Sequence, residues 1–176
     1  MWPHHVHGTT VLTVDAPPPG TVDADGAATT RRGLALAAMG ADCAPIALAN
    51  DTACAAIHSG WRGLVGGVVA EGVRAVAALG SGPVRAAIGP CICARCYEFG
   101  TDDLTAVALA VGPEVVGATA SGAPALDLVA GIRAQLAAAG VVDVTDSGLC
   151  TAESDDLYSY RRDGVTGRQA VVVVLP

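Results

Sequence analysis

The segment from Ala53 to Leu79, ACAAIHSGWRGLVGGVVAEGVRAVAAL, decides the reading of this chain. Ala53 to Ile57 is a short apolar run of strand length bounded by polar residues. From Leu64 to Leu79 the residues Val65, Val68, Val69, Val73, Val76 and Leu79 recur at three- and four-residue steps, while Glu71 and Arg74 fall elsewhere on the wheel. That period predicts one helix over 64–79. Between the two lies His58-Ser59-Gly60-Trp61-Arg62-Gly63, which places a metal-capable imidazole at the end of the strand and a guanidinium at the start of the helix. The helix dipole and that cation then point at the same place. Strand, turn and helix in this order are the unit of an α/β protein, with polar chemistry concentrated at the turn.

Outward from this unit the pattern repeats. Val11 to Val14 predicts a strand, stopped by Pro17-Pro18-Pro19-Gly20. Ala35 to Met39 and Ile46 to Leu48 are apolar runs either side of a break at Asp42-Cys43. Val84 to Ile88 predicts a further strand, ending at Gly89-Pro90 and a cysteine-rich loop. Thr101 to Val111 predicts a helix capped by Thr101 with Asp102 and Asp103 in its first turn, and Ile132 to Ala139 a second, stopped by Gly140. Val141 to Val144 and Ala170 to Leu175 complete the strands, the last with four consecutive valines and the character of a fully buried strand. Alternating strands and helices in 176 residues predict one layered α/β domain over 1–176, without linker or internal repeat.

Apolar residues make up 52% of the chain but aromatics only 3%, so the core must be built from small and β-branched side chains, with close backbone packing. A net charge of −7 with ten Lys plus Arg argues against binding a nucleic-acid backbone, which needs a basic face, although a local anion site built by a few arginines fits. The apolar runs are interrupted and the start, Met1-Trp2-Pro3-His4-His5, lacks the regions of a signal peptide, so the sequence predicts a cytoplasmic protein with neither membrane nor nucleic-acid partners. In that setting the six cysteines are expected as thiols or metal ligands rather than disulfides.

His7, Cys43 and His58 each sit at an apparent strand end and together offer two nitrogens and one sulfur, a set that suits zinc with its fourth position open. Isolated histidines serve structural roles more often, and Trp61 and Arg62 can simply cap the helix. Gly60 and Gly63 favour a site, because bare backbone beside a cation admits a polar ligand. Cys91-Ile92-Cys93-Ala94-Arg95-Cys96 has the look of half a metal knuckle, incomplete unless Cys150 or a His joins it in the fold; otherwise the loop lines a pocket or packs as small apolar residues. In Ser159-Tyr160-Arg161-Arg162-Asp163-Gly164 the arginines can simply salt-bridge Asp155, Asp156 or Asp163; the other reading is that one guanidinium binds phosphate or carboxylate bidentately. His4 and His5 are expected to fray with the terminus.

Taken in order, His7-Gly8-Thr9, Asp42-Cys43-Ala44-Pro45, His58-Ser59-Gly60-Trp61-Arg62-Gly63, Ile88-Gly89-Pro90-Cys91-Ile92, Cys96-Tyr97-Glu98 and Ser159-Tyr160-Arg161-Arg162-Asp163-Gly164 resemble the signature of the laccase-domain family. That family is also called the purine nucleoside phosphorylase or polyphenol oxidase family and includes the bacterial peptidoglycan editing factor. The resemblance runs from His7 to Leu175. It implies an α/β/α layered sandwich with a mixed sheet, related to the toxin cysteine hydrolases, and a zinc held by His7, Cys43 and His58. It implies phosphorolysis of adenosine, inosine and methylthioadenosine, and deamination of adenosine, with nucleosides and phosphate as partners; one branch edits a peptidoglycan precursor. Two departures stand out: family members carry a longer segment ahead of the His-Gly motif, which leaves His4 or His5 as substitutes for His7, and Cys93 stands where Gly is usual.

On this reading Asp42, Cys43, His58 and Arg62 form the catalytic set, with Asp42 or the Cys96 region moving protons. Gly60, Trp61, Arg62, Cys96, Arg161 and Arg162 meet the substrate, with Arg62 and one of Arg161 or Arg162 on phosphate. Zinc with three protein ligands lowers the pKa of coordinated water to about 7. Copper fits less well, because four histidines are too few for a multicopper oxidase. Two rivals share the residues: a thiol hydrolase in which Cys43 and His58 form a metal-free nucleophilic pair, and a zinc-stabilised domain without turnover.

Overall fold

Ten short strands and five helices follow from these patterns, and the computed structural model describes all of residues 1–176. In chain order they are β1 Val11–Thr13, β2 Gly26–Thr29, β3 Leu36–Gly40, β4 Ala44–Ala49, β5 Cys54–Ser59, α1 Trp61–Gly66, α2 Val68–Leu79, β6 Arg85–Ile88, α3 Thr101–Val111, β7 Val116–Ala118, β8 Pro124–Leu126, α4 Leu128–Ala138, β9 Asp143–Asp146, α5 Tyr160–Asp163 and β10 Gln169–Val173. Six strands join in one sheet of order β1-β2-β5-β4-β6-β9. Its two outer pairs are parallel and its three central pairings antiparallel, so the sheet is mixed. β5 lies inside it and is buried at every residue, His58 and Ser59 included.

Helices cover one face. Ile46, Leu48 and Ile57 from the sheet meet Val69, Val73 and Val76 of α2 and Ile132 and Leu136 of α4 in the main core. The small residues let these layers approach closely: a Cβ on Gly72 of α2 would lie 2.9 Å from both Ile57 Cδ1 and Leu48 Cδ1. The opposite face is covered by a two-stranded ribbon of β3 and β10, paired antiparallel from Gln169↔Gly40 to Val173↔Leu36, which closes a second cluster of Ala27, Leu36, Ala38, Cys54, Ala56 and Leu175. The chain is thus the expected α/β domain with a mixed sheet, and one outer layer is a β-ribbon where the sandwich reading puts helices. No helix is long and apolar enough to cross a membrane.

Several local expectations change. The predicted helix over 64–79 is two helices, because Gly67 adopts φ 90°, a left-handed conformation that ends α1 and starts α2. The final strand is not buried throughout: its residues alternate, with Val172 and Val174 turned to solvent, since a ribbon on the outside of the sheet has one wet face. Helix α3 has Gly100 rather than Thr101 at its cap, and α4 begins earlier than predicted, where the Asp127 carboxylate accepts the Ala130 N–H. The N-terminus is tied down rather than frayed. Met1 bonds to both Ala35 and Ala37, and His4 bridges Asp23.

Candidate functional site

Three chain reversals converge at the end of β5. His7 arrives on the segment before β1, with φ 60°, and Cys43 on the β3–β4 turn, where Asp42 has φ 96°. Backbones bent into the left-handed region at two non-glycine residues carry strain, which the surrounding hydrogen bonds must hold. The result brings His7, Cys43 and His58 together, their ligand atoms all within 4.8 Å of one another. Cys43 Sγ is 3.8 Å from His7 Nε2.

The residue that organises this cluster is Asp25, which sequence reasoning missed. It is fully buried just before β2, a strand that was also unpredicted. Its Oδ1 accepts from His58 Nδ1 at 2.9 Å and from the His7 N–H at 2.9 Å, its Oδ2 from the Gly8 N–H at 2.6 Å, and its carbonyl from the His58 N–H at 2.7 Å. One carboxylate therefore fixes the backbone of one histidine and the ring of the other. With its Nδ1 engaged, His58 presents Nε2 as a ligand, the arrangement in which a carboxylate orients a metal-binding imidazole. The available signal was an acid placed before the small apolar run Gly26-Ala27-Ala28, since a carboxylate entering a core needs partners.

Proton affinities respond to this packing. Burial opposes charge on His58, but the hydrogen bonds to Asp25 and Cys43 and their negative charges outweigh it and raise its pKa to about 9. Burial likewise pushes the Cys43 thiol up, yet His58 and His7 together bring it down to about 7. His5 stacks on His58 at 4.4 Å between ring centroids, and its burial and the neighbouring His58 charge lower its pKa to about 4.

The donor set fits a borderline metal: two imidazoles and one thiolate that all border the cavity, with a buried carboxylate behind one imidazole. Gly60 packs directly against the cluster rather than lining the cavity: a Cβ there would stand 2.8 Å from Cys43 Sγ and 3.0 Å from His7 Cδ2, so only glycine leaves both side chains their places. The cluster opens on a cavity of about 1040 Å³ whose wall includes His5, Trp61, Arg62, Tyr97 and Arg161. The Arg62 guanidinium lies over the Trp61 ring at 4.2 Å and that of Arg161 over Tyr97 at 5.1 Å. Neither side chain makes a hydrogen bond or an ion pair within the protein.

Two expected site residues, Arg162 and Cys96, lie away from the cavity, and a third, Asp42, is hydrogen-bonded at its edge. Arg162 does not reach the cavity: its guanidinium bonds to both oxygens of Asp163 and to the carbonyls of Thr151, Ser154 and Leu157, locking its own loop. Neighbouring residues on the helical turn α5 point about 100° apart, so only one of the two arginines can face the cavity. Cys96 lies instead with Cys93, Cys150 and Glu153. Asp42 borders the cavity, where one carboxylate oxygen accepts from Thr151 Oγ1 and the other from the Arg161 N–H, both at 2.6 Å, so the carboxylate also ties β4's entry turn to α5.

A mixed α/β domain with an Asp-supported His-Cys-His cluster at its strand ends, facing an arginine-bearing cavity, defines an enzyme-like protein with a metal-ready site. The chain belongs to the family described as multi-copper polyphenol oxidoreductase laccase, which matches residues 1–176. It is 48% identical to a purine nucleoside phosphorylase of Streptomyces coelicolor, over 99% of this chain and 74% of that one. It is 42% identical to a protein of the same name from Deinococcus radiodurans, over 98% and 69%. Among solved structures, a Neisseria meningitidis protein superposes with a TM-score of 0.87 at 34% identity, covering 99% of this chain and 74% of that one. The family that the sequence motifs resemble is the family found.

Proposed function

We propose that this chain is a cytoplasmic purine nucleoside phosphorylase that uses zinc held by His7, Cys43 and His58, and that the same site takes methylthioadenosine and deaminates adenosine. The observation that carries the reading is one cavity bearing both that ligand set and two unengaged guanidiniums, Arg62 and Arg161. In a chain of net charge −7, cations left without acidic partners at a cavity suit an anionic substrate.

In phosphorolysis a phosphate oxygen attacks the anomeric carbon, the glycosidic C–N bond breaks with its electron pair leaving on the purine, and the purine takes up a proton. Arg62 and Arg161 hold the phosphate; each guanidinium rests over an aromatic ring, Trp61 and Tyr97, and keeps its N–H donors free of protein partners. Asp42 positions Arg161 through the backbone of α5. Asp25 holds His58 and the turn of His7. Zinc, when bound, supplies Lewis acidity at this wall of the cavity.

The test is release of free base from adenosine, inosine and methylthioadenosine with and without phosphate, followed by chromatography of base and sugar phosphate. Phosphate-dependent release is expected. Arg62→Ala should raise the KM for phosphate by roughly 10- to 100-fold, the worth of one charge-assisted hydrogen bond, with zinc content unchanged. Base release indifferent to phosphate, or an unaltered phosphate KM in the variant, would overturn the assignment.

One observation favours a second reading. Asp25, His58 and Cys43 stand in the order carboxylate, imidazole, thiol, the order of a cysteine hydrolase. Metal content separates the two, because a zinc-bound thiolate is not a free nucleophile. Wild-type protein purified without metal at this site, with Cys43 rapidly alkylated, would support the hydrolase.

A further inference from the structure

Away from the cavity, Cys93, Cys96, Cys150 and Glu153 place three sulfurs and a carboxylate oxygen within 4.8 Å of one another. We propose that these residues form a second, structural metal site that takes zinc. Its basis is independent of what the first site does.

The four donors come as two pairs, each with the spacing of three residues that a single tight turn brings to one side. Cys93 and Cys96 bracket the 3₁₀ turn Ala94–Cys96, closed by the Cys96 N–H on the Cys93 carbonyl at 3.0 Å. Cys150 and Glu153 bracket a second turn, closed by the Glu153 N–H on the Cys150 carbonyl at 3.3 Å. A backbone bridge between Cys91 and Cys150 holds the two turns together, with the Thr151 N–H on the Cys91 carbonyl at 3.1 Å. Tetrahedral zinc with Zn–S bonds of about 2.3 Å sets its sulfurs about 3.8 Å apart, inside the 4.8 Å that bounds every pair of these donor atoms.

The surroundings suit thiolates. The Cys93 N–H donates to Cys150 Sγ at 3.2 Å, the kind of contact that spreads negative charge from a ligating sulfur. Arg95 reaches Glu153 Oε1 at 2.5 Å and leaves Oε2 without a hydrogen bond. Three thiolates and a carboxylate around Zn²⁺ sum to −2, and Arg95 reduces that to −1. Four protein donors leave no open position, the mark of a structural rather than catalytic zinc. Cys91 takes no part: it is buried in the main core, where its thiol is held protonated.

The site would staple two loops that are far apart in the chain and that both grip Asp42. Ile92, beside Cys93, donates its N–H to the Asp42 carbonyl, and Thr151, beside Cys150, donates its hydroxyl to the Asp42 carboxylate.

The experiment is elemental analysis of the full-length protein purified from zinc-supplemented cells, with Cys93→Ser, Cys150→Ser and, for the first site, His58→Ala. Each cysteine variant should lose one equivalent of zinc relative to wild type and keep what His58→Ala loses. Zinc content unchanged in both cysteine variants would overturn the proposal, as would a Cys93–Cys150 disulfide in protein alkylated under native conditions. Should the cysteine variants fail to fold, cobalt loading of the wild type decides: absorption from three thiolates supports the site, and absorption from the single Cys43 thiolate refutes it.

Discussion

Asp25 bonds to both histidines of the candidate metal centre without being a ligand itself, so its loss should be felt through them. Asp25→Asn keeps the shape but weakens the hold on His58 Nδ1 and on the His7 turn. Metal affinity should fall by about 10- to 100-fold, read by competition with a chelator, while the circular dichroism spectrum stays unchanged. Gly60→Ala should also impair metal binding, because its Cβ would crowd Cys43 Sγ and His7. The same residues set a pH dependence. Between about pH 7 and 9 the metal-free protein has Cys43 ionised and His58 still protonated, so binding a metal releases the His58 proton. Apparent affinity should therefore rise about tenfold per pH unit through that window and level off above pH 9; below pH 7 the Cys43 proton must be displaced too and the slope steepens. An affinity that is flat from pH 7 to 9 would contradict the strong coupling of His58 to Asp25.

Elements explain where a sound pattern still gave a wrong boundary. The apolar steps from Leu64 to Leu79 are real, yet Gly67 lets the chain turn between α1 and α2, so that Trp61 and Arg62 line the cavity while α2 lies on the sheet. Gly67→Ala puts a Cβ into a left-handed conformation and should cost about 1 kcal/mol, measured by urea denaturation. Replacing the Asp127 cap of α4 with alanine should cost a similar amount, about 1 kcal/mol. Strand β10 was legible as a strand from its valines, but its burial was not, because a run of β-branched residues looks the same in a sheet interior and on a ribbon with one wet face. β2 escaped notice for the opposite reason: Gly26-Ala27-Ala28-Thr29 has little strand propensity, and pairing with β1 and β5 makes it a strand.

The whole molecule rests on close packing of small side chains, as the scarcity of aromatics and abundance of Ala and Gly indicated. Gly72 and Gly131 let α2 and α4 sit down on their neighbours; a Cβ on Gly131 would come within 2.7 Å of Leu64 Cδ2 and 2.8 Å of Val115 Cγ1. Gly72→Val should therefore destabilise the fold by about 1–3 kcal/mol, visible as a lowered thermal midpoint without loss of metal ligands. The sequence by itself determined the α/β class and most of the strands and helices, and it singled out His7, Cys43 and His58, which the fold brings within ligand distance of one another, because periodicity and side-chain chemistry are local properties. Tertiary structure alone decided that Asp25 supports the histidines, that Arg161 and not Arg162 turns to the cavity, and that Cys96 joins Cys93, Cys150 and Glu153. Each of those outcomes depends on which distant segments share a turn or a sheet edge, and sequence spacing does not record the packing that brings them together.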